Sequence, residues 1–234
     1  MEYMILFCRP GFETEAGREM TDAAAAVGVF GYFQPGARQG HLLFCLTGPE
    51  GTATLLQRLN LLDLVFVRDW MVGLADLELP ATDRVGAVIE ALHSVASGFP
   101  NCARVEVRLP EDNADGDLGN FARKWVAPLS RALRGAGLLK PDASAQAPAR
   151  LDILLVSFER ALVGVSPANN RARFPGGIAR LRLPSSAPSR SALKLEEAWK
   201  VFLPPEQSLD YLGGGKSAVD LGAAPGGWTW QLVR

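Results

Sequence analysis

Ser217-Ala218-Val219-Asp220-Leu221-Gly222-Ala223-Ala224-Pro225-Gly226-Gly227-Trp228 is the stretch on which the reading of this chain turns. Its first five residues read as a short apolar strand. Trp228–Val233 reads as the start of a helix, so a glycine-rich turn joins the two. Such a turn lets the backbone approach a ligand closely and aims free N–H groups at it. The glycine spacing limits which ligand. A dinucleotide fingerprint needs G-x-G-x-x-G around a pyrophosphate, and a P-loop needs G-x-x-x-x-G-K-[ST]. Gly222-x-x-x-Gly226-Gly227 is neither, and Gly215-Lys216-Ser217 precedes the strand as a chance match.

An acid at the strand end beside glycine amides suits a ligand that carries both signs of charge but no pyrophosphate. S-adenosylmethionine, with its sulfonium, amino group and carboxylate, is such a ligand. Asp220 and Gly222 are candidate contacts on that ground.

The string Asp220–Trp228 resembles the cofactor motif of the FtsJ-type RNA ribose 2′-O-methyltransferases. Upstream, Ser189-Arg190-Ser191-Ala192-Leu193-Lys194-Leu195-Glu196-Glu197 is similar to the family's S-R-[SA]-x-x-K-L-x-E segment, which supplies the first lysine of a Lys-Asp-Lys-Glu catalytic set. The resemblance runs along the whole chain to a branch that methylates a cytidine ribose of bacterial 23S ribosomal RNA. Phe7-Cys8-Arg9-Pro10-Gly11-Phe12-Glu13, Phe30-Gly31-Tyr32, Arg68-Asp69-Trp70 and Ala187-Pro188-Ser189-Arg190-Ser191 carry it.

This resemblance implies an α+β amino-terminal part, ferredoxin-like plus THUMP, followed by the beginning of an α/β Rossmann-like methyltransferase domain. It implies S-adenosyl-L-methionine as cofactor, with Ser191, Ala224, Pro225, Gly226 and Gly227 against it and Lys194 beside the reacting ribose. From the residues alone Lys194 has a second reading, an exposed helix lysine pairing with Glu196 or Glu197. The family's proton-accepting lysine, its catalytic Asp and Glu, and the acid that holds the cofactor ribose fall beyond Arg234. We therefore expect a shortened chain in which the part up to Val165 folds alone and which does not methylate RNA by itself.

Further upstream, Arg160 to Leu195 contains no Asp or Glu, but does contain Arg160, Arg171, Arg173, Arg180, Arg182, Arg190 and Lys194. Prolines 167, 175, 184 and 188 keep the stretch extended or turning. These cations repel one another unless a polyanion or the protein body neutralises them. Arg171, Arg173, Arg180, Arg182 and Arg190 are read as RNA contacts, and arginines that cap helix ends and bridge domains are the alternative. Asn169-Asn170 could read or support a backbone. On a helix from Leu118 to Leu133, Arg123, Lys124, Arg131 and Arg134 share a sector of about 100°, with Phe121, Trp125, Val126, Leu129 and Leu133 opposite. That face is either solvated or turned to phosphates. Pro128 is expected to kink this helix.

The remaining pattern gives the boundaries. Tyr3–Cys8, Val29–Phe33, His41–Leu46 and Leu62–Val72 read as strands, and Phe12–Val27 and Thr52–Leu59 as helices. Residues 34–40 form a turn, and the order β-α-β-β-α-β is ferredoxin-like. Asp83–Ala96 reads as a helix, Ala103–Leu109 as a strand, and Leu151–Phe158 with Ala161–Val165 as a hairpin. Pro141–Pro148 is a loop, and a last helix runs from Ser191 to Phe202. The expected domains are 1–78 ferredoxin-like, 79–166 THUMP-like, 167–188 basic connector and 189–234 methyltransferase.

Asp63, Arg68, Asp69, Asp76 and Glu78 interrupt the apolar run from Leu61 to Leu79, so no membrane span is predicted. The amino terminus has an early acid and no basic region of a secretory signal. Cys8, Cys45 and Cys102 are far apart, and with only His41 and His93 to join them we expect no metal site and a reducing cytoplasm. The net charge of -1 means that RNA contact must come from local clusters. A monomer acting on 23S ribosomal RNA is expected. The alternatives are an RNA-binding module without catalysis, and a nucleotide-binding oxidoreductase, which the glycine spacing disfavours.

Overall fold

A computed structural model describes residues 2–34, 39–95, 100–110, 116–140, 149–203 and 208–234. The loop expected at Pro141–Pro148 lies outside the described residues, as do positions 35–38 of the expected turn. The chain divides into two units, Met1–Gly177 and Ile178–Arg234.

The first unit begins with β1 (Tyr3–Phe7), α1 (Glu13–Ala26), β2 (Gly31–Gln34), β3 (His41–Leu46), α2 (Thr52–Arg58) and β4 (Asp69–Glu78). The strand order β2-β3-β1-β4, antiparallel throughout, is the ferredoxin-like arrangement. Glu13 sets the entry to α1, because its carboxylate accepts N–H groups from Gly11 at 3.0 Å and Gly40 at 2.9 Å. Alternation divides β1. Met4 and Leu6 pack with Met20, Phe44 and Trp70 beneath α1, whereas Ile5 and Phe7 face the other way.

The fourth strand corrects the sequence reading. Leu62–Val72 is apolar enough for a strand, but Leu61–Asp63 is a 3-10 turn and β4 starts at Asp69. Side chains occupy the N–H groups that a strand would offer to a neighbour. The Glu19 carboxylate accepts from Val65, Phe66 and Val67, Asn60 accepts from Leu62, and Asn170 accepts from Leu61. Leu62 and Val65 consequently stand exposed.

The unit continues with α3 (Arg84–Ser94), β5 (Cys102–Arg108), α4 (Asp117–Gly135), β6 (Ala149–Leu155) and β7 (Arg160–Ser166). Asp83 caps α3 by accepting the Gly86 N–H at 2.8 Å. The hairpin β6–β7 forms, and β5 pairs β6 in parallel across α4. Strand β4 serves both halves. Asp69–Val72 pairs with β1 and Val72–Glu78 with β7, the latter ladder carrying an irregularity between Gly73 and Ala75. One sheet of seven strands results, in the order β2-β3-β1-β4-β7-β6-β5.

A second core lies under α3 and α4, with Val88, Leu92, Trp125, Leu129, Leu151, Ile153 and Val163. In α4, Leu118, Ala122, Trp125, Leu129 and Leu133 make one buried stripe that runs past Pro128. The buried face therefore continues in register across Pro128, the residue expected to kink this helix. The other sheet face holds a smaller apolar cluster of Ile5, Phe7, Met71, Leu154 and Leu162. Beside it lies a buried ionic group, Asp69, Arg108, Arg150 and Asp152.

The second unit contains α5 (Ser191–Phe202), α6 (Ser208–Leu212) and α7 (Gly227–Val233). Ser217–Leu221, read as a strand, is not one. A strand exists only by pairing, and among the described residues of this unit none pairs with it. Val219 and Leu221 are exposed at 82% and 91%. No described helix is long and apolar enough to cross a membrane.

Candidate functional site

The glycine loop stands between Asp220 and α7. Gly222 has φ 84° and Gly226, the residue before α7, has φ 92°. Both lie in the left-handed region that glycine enters without strain. A Cβ on either would meet nothing within 4 Å, so the loop backbone is open on that side. Gly227 is the opposite case. It is buried, and a Cβ there would run into Ser189 Oγ and Ser191 Oγ and stand 3.0 Å from the Ala192 nitrogen. The missing side chain is what lets the loop lie against the start of α5.

Two hydroxyl contacts hold this arrangement. Thr229 Oγ1 donates to Asp220 Oδ2 at 2.7 Å, which ties the first turn of α7 back across the loop. Ser189 Oγ and Ser191 Oγ are 2.6 Å apart, and the Ser191 N–H donates to Ser189 Oγ at 3.3 Å. The structure thus brings Ser191 against Gly227, and Asp220 to the other end of the same loop. Ala224 and Pro225 are exposed at its tip. Lys194 is exposed one turn after Ser191, and residues three apart share a helix face. Glu196, one of the two carboxylates expected to pair with Lys194, receives Lys200 Nζ at 2.8 Å.

Sequence reasoning missed Thr229 and Ser189. The available signals were a hydroxyl one turn beyond the loop, and a Ser-x-Ser pair opening a helix.

The basic candidates separate into groups. Arg123, Lys124, Arg131 and Arg134 are all exposed on α4, opposite its buried stripe. Arg123 donates to Asn120 Oδ1. The expected connector is divided between the two units. Arg171 and Arg173 belong to the first, Arg180, Arg182 and Arg190 to the second, and all but half-buried Arg171 are exposed. Arg173 lies 5.4 Å from the Phe174 ring. Asn170 is structural: its Nδ2 donates to the carbonyls of Leu56 and Leu59, and its own carbonyl accepts Trp70 Nε1 at 2.6 Å. Asp69 Oδ1 accepts the Ala172 N–H at 3.0 Å, so residues 170–172 are fixed to the first unit. Arg160 forms a two-pronged pair with Asp76, at 2.9 and 2.7 Å, and serves the sheet.

Cys8, Cys45 and Cys102 are free and buried, and burial raises the Cys102 thiol to about 12. Among the described residues no group of three metal-ligating side chains comes together.

Three family models match the chain in succession. Residues 1–71 match the RlmM ferredoxin-like domain, and residues 83–167 match Ribosomal RNA large subunit methyltransferase M, N-terminal. Residues 187–234 match FtsJ-like methyltransferase. The protein called Ribosomal RNA large subunit methyltransferase M from Marinobacter nauticus is 62% identical over the whole chain, and the one so named from Cellvibrio japonicus is 41% identical. The chain spans 65% of the length of each. Among solved structures, TrmN from Thermus thermophilus is 19% identical over 73% of this chain and 47% of its own, with a TM-score of 0.45. That likeness is too distant to bear on function. The two amino-terminal models, the FtsJ-like match and the identity along all 234 residues converge, and the chain belongs to the ribosomal RNA large subunit methyltransferase M family.

Proposed function

We propose that this chain supplies the RNA-presenting part and the cofactor loop of a cytoplasmic, monomeric enzyme. The reaction is methyl transfer from S-adenosyl-L-methionine to the ribose 2′-hydroxyl of a cytidine in 23S ribosomal RNA. One observation carries this reading: Asp220–Trp228 is closed by Thr229 and seated on the Ser189–Ser191 turn, in a member of this family. Residues 79–166 are assigned as a THUMP-like RNA-binding region after a ferredoxin-like region at 1–78. The connector is 167–188 and the start of the methyltransferase domain 189–234.

The residues present fit the cofactor. Gly222 and Gly226 leave the loop backbone open, Asp220 gives a carboxylate for a cationic group, and Ser191 with Ala224, Pro225, Gly226 and Gly227 completes the bed. When bound, S-adenosyl-L-methionine supplies a methyl carbon activated by its sulfonium. The protein's task is to hold the 2′-oxygen in line with that carbon. Lys194, on the face of α5 that carries Ser191, orients the ribose oxygen and stabilises the negative charge that develops as its proton leaves. Arg123, Lys124, Arg131, Arg134, Arg171, Arg173, Arg180, Arg182 and Arg190 would hold RNA phosphates.

The test is transfer of labelled methyl to 23S ribosomal RNA by a protein of its relatives' full length, with the modified nucleoside identified by mass spectrometry. Lys194→Met should abolish transfer yet leave cofactor affinity unchanged. A label on the base rather than the ribose would refute the assignment.

A further inference from the structure

Where β1 ends and β4 begins, the first unit turns large apolar side chains outward. The chain leaving β1 makes a turn over Arg9–Phe12, closed by the Phe12 N–H donating to the Arg9 carbonyl at 3.0 Å. The segment that leads into β4 runs beside it, since the Arg68 N–H donates to the Phe7 carbonyl at 2.8 Å. Phe12 from the turn and Phe66 from the segment stack, with centroids 5.9 Å apart and planes 22° from parallel. The Arg9 guanidinium lies 5.7 Å from the Phe12 ring centroid. Both rings are 37% exposed, and Leu62 and Val65 on the same segment are more exposed still.

A single surface ring is ordinary. Two stacked rings from segments distant in sequence, with a cation against one of them, make a defined flat surface instead. Both segments are held in place by carboxylates from α1. Glu19 accepts the Val65, Phe66 and Val67 N–H groups, and Glu13 accepts those of Gly11 and Gly40. These two acids are spent on backbone, and Arg9 is the one charged residue of the turn. The chain also leaves the first unit at this end. A Cβ on Gly177, the last residue of the unit, would stand 2.5 Å from the Arg68 carbonyl oxygen.

We infer that Phe12 and Phe66 form a stacking platform for an unpaired nucleobase of the RNA substrate, with Arg9 against the adjoining phosphate. This rests on the RNA-substrate reading above. Aromatic faces accept any base, and a neighbouring arginine answers the charge that every nucleotide carries. Bases inside a duplex already have both faces covered, so the platform takes single-stranded or looped RNA. The clamped backbones mean that little ordering remains when the base arrives.

The experiment measures binding of a short mixed-sequence single-stranded RNA to the chain across a salt series, beside a strand of equal length without bases. Phe66→Ala and Phe66→Leu should each weaken RNA binding about tenfold, the scale of one lost stack, with an unchanged slope of log K against log salt. Phe66→Tyr keeps a ring and should keep the affinity. Arg9→Gln should instead reduce the slope by about 0.7, one phosphate contact on a single strand. The base-free strand should bind the wild type more weakly and ignore the Phe66 substitutions. Wild-type affinity in Phe66→Leu, or equal binding of the base-free strand by the wild type, would overturn the platform and leave other RNA contacts standing. Sedimentation that shows a wild-type dimer split by Phe66→Leu would assign the surface to a second copy of this chain and overturn the RNA assignment. A wild-type chain that binds no RNA would overturn the platform and the RNA-binding role of this chain together. Methyl transfer by the full-length protein would still test the catalytic reading separately.

Discussion

Asp69 Oδ2 and Arg108 Nη2 stand 2.7 Å apart although β4 and β5, which carry them, are separated by β7 and β6. Strands lie about 4.8 Å apart, so a flat sheet would hold these backbones about 14 Å from each other, beyond reach of the pair. The Arg108 guanidinium also lies 4.4 Å from the Phe7 ring on β1, one strand further away. The sheet must curl towards this face, and the ionic group fastens the curl. Asp69 is its hub, since it also accepts the Ala172 and Gly176 N–H groups.

Removing Asp69 should therefore be costly. Asp69→Ala leaves Arg108 buried beside only part of its counter-charge, and breaking such a pair costs about 3–5 kcal/mol. Urea denaturation should show that loss. A change under about 1 kcal/mol, the range of a surface pair, would mean the group is solvated.

Thr229→Val removes the hydroxyl that donates to Asp220 while keeping the side-chain shape. Hydrogen bonds to charged groups contribute about 1.5–3 kcal/mol, less when partly exposed as here. S-adenosyl-L-methionine binding to the full-length protein should weaken about tenfold with an unchanged melting temperature. Equal affinity would show that Asp220 needs no such tether.

Gly227→Ala tests the contact between loop and helix. The added methyl meets the two serine hydroxyls, and the loop must lift from α5. We expect at least about tenfold weaker cofactor binding, or about 1.4 kcal/mol. The double variant Gly227→Ala with Ser189→Gly removes one of the two hydroxyls in the way and should recover part of the loss in a calorimetric titration.

His41 sets a pH dependence. Burial is the main cause holding its pKa below the usual 6.5, so the unfolded chain takes up a proton where the folded chain does not. The folded pKa is depressed, so His41's contribution is present above pH 6.5 and is lost as pH falls towards the folded value. The urea midpoint should drop between about pH 7.5 and 5.5. His41→Leu should flatten that drop, and an identical slope in the variant would assign it to other groups.

Most helices were legible because their signals are local. The 3.6-residue period placed α1, α3 and α4 within a residue or two, and α5 spans the predicted Ser191–Phe202. Leu62–Val72 misled because an apolar run does not reveal that Glu19, Asn60 and Asn170 would claim its N–H groups, and Asn170 lies over a hundred positions away. Ser217–Leu221 misled for a related reason: a strand is a property of a pair, and hydrophobicity marks only one member.

Within the candidate site, the loop glycines, Ser191 and Lys194 could be read because close backbone approach and helix phase depend on neighbours in sequence. Thr229 gained meaning only once α7 folded back on Asp220. The sequence by itself determined the order of elements, the buried stripe of α4, and a glycine loop unsuited to pyrophosphate. Only the tertiary structure decided that β4 would join both halves into one sheet, and that Asp69, Arg108, Arg150 and Asp152 would meet in its interior. The physical reason is that pairing and charge burial join residues from distant strands, and the curl that brings them together is written in no local period.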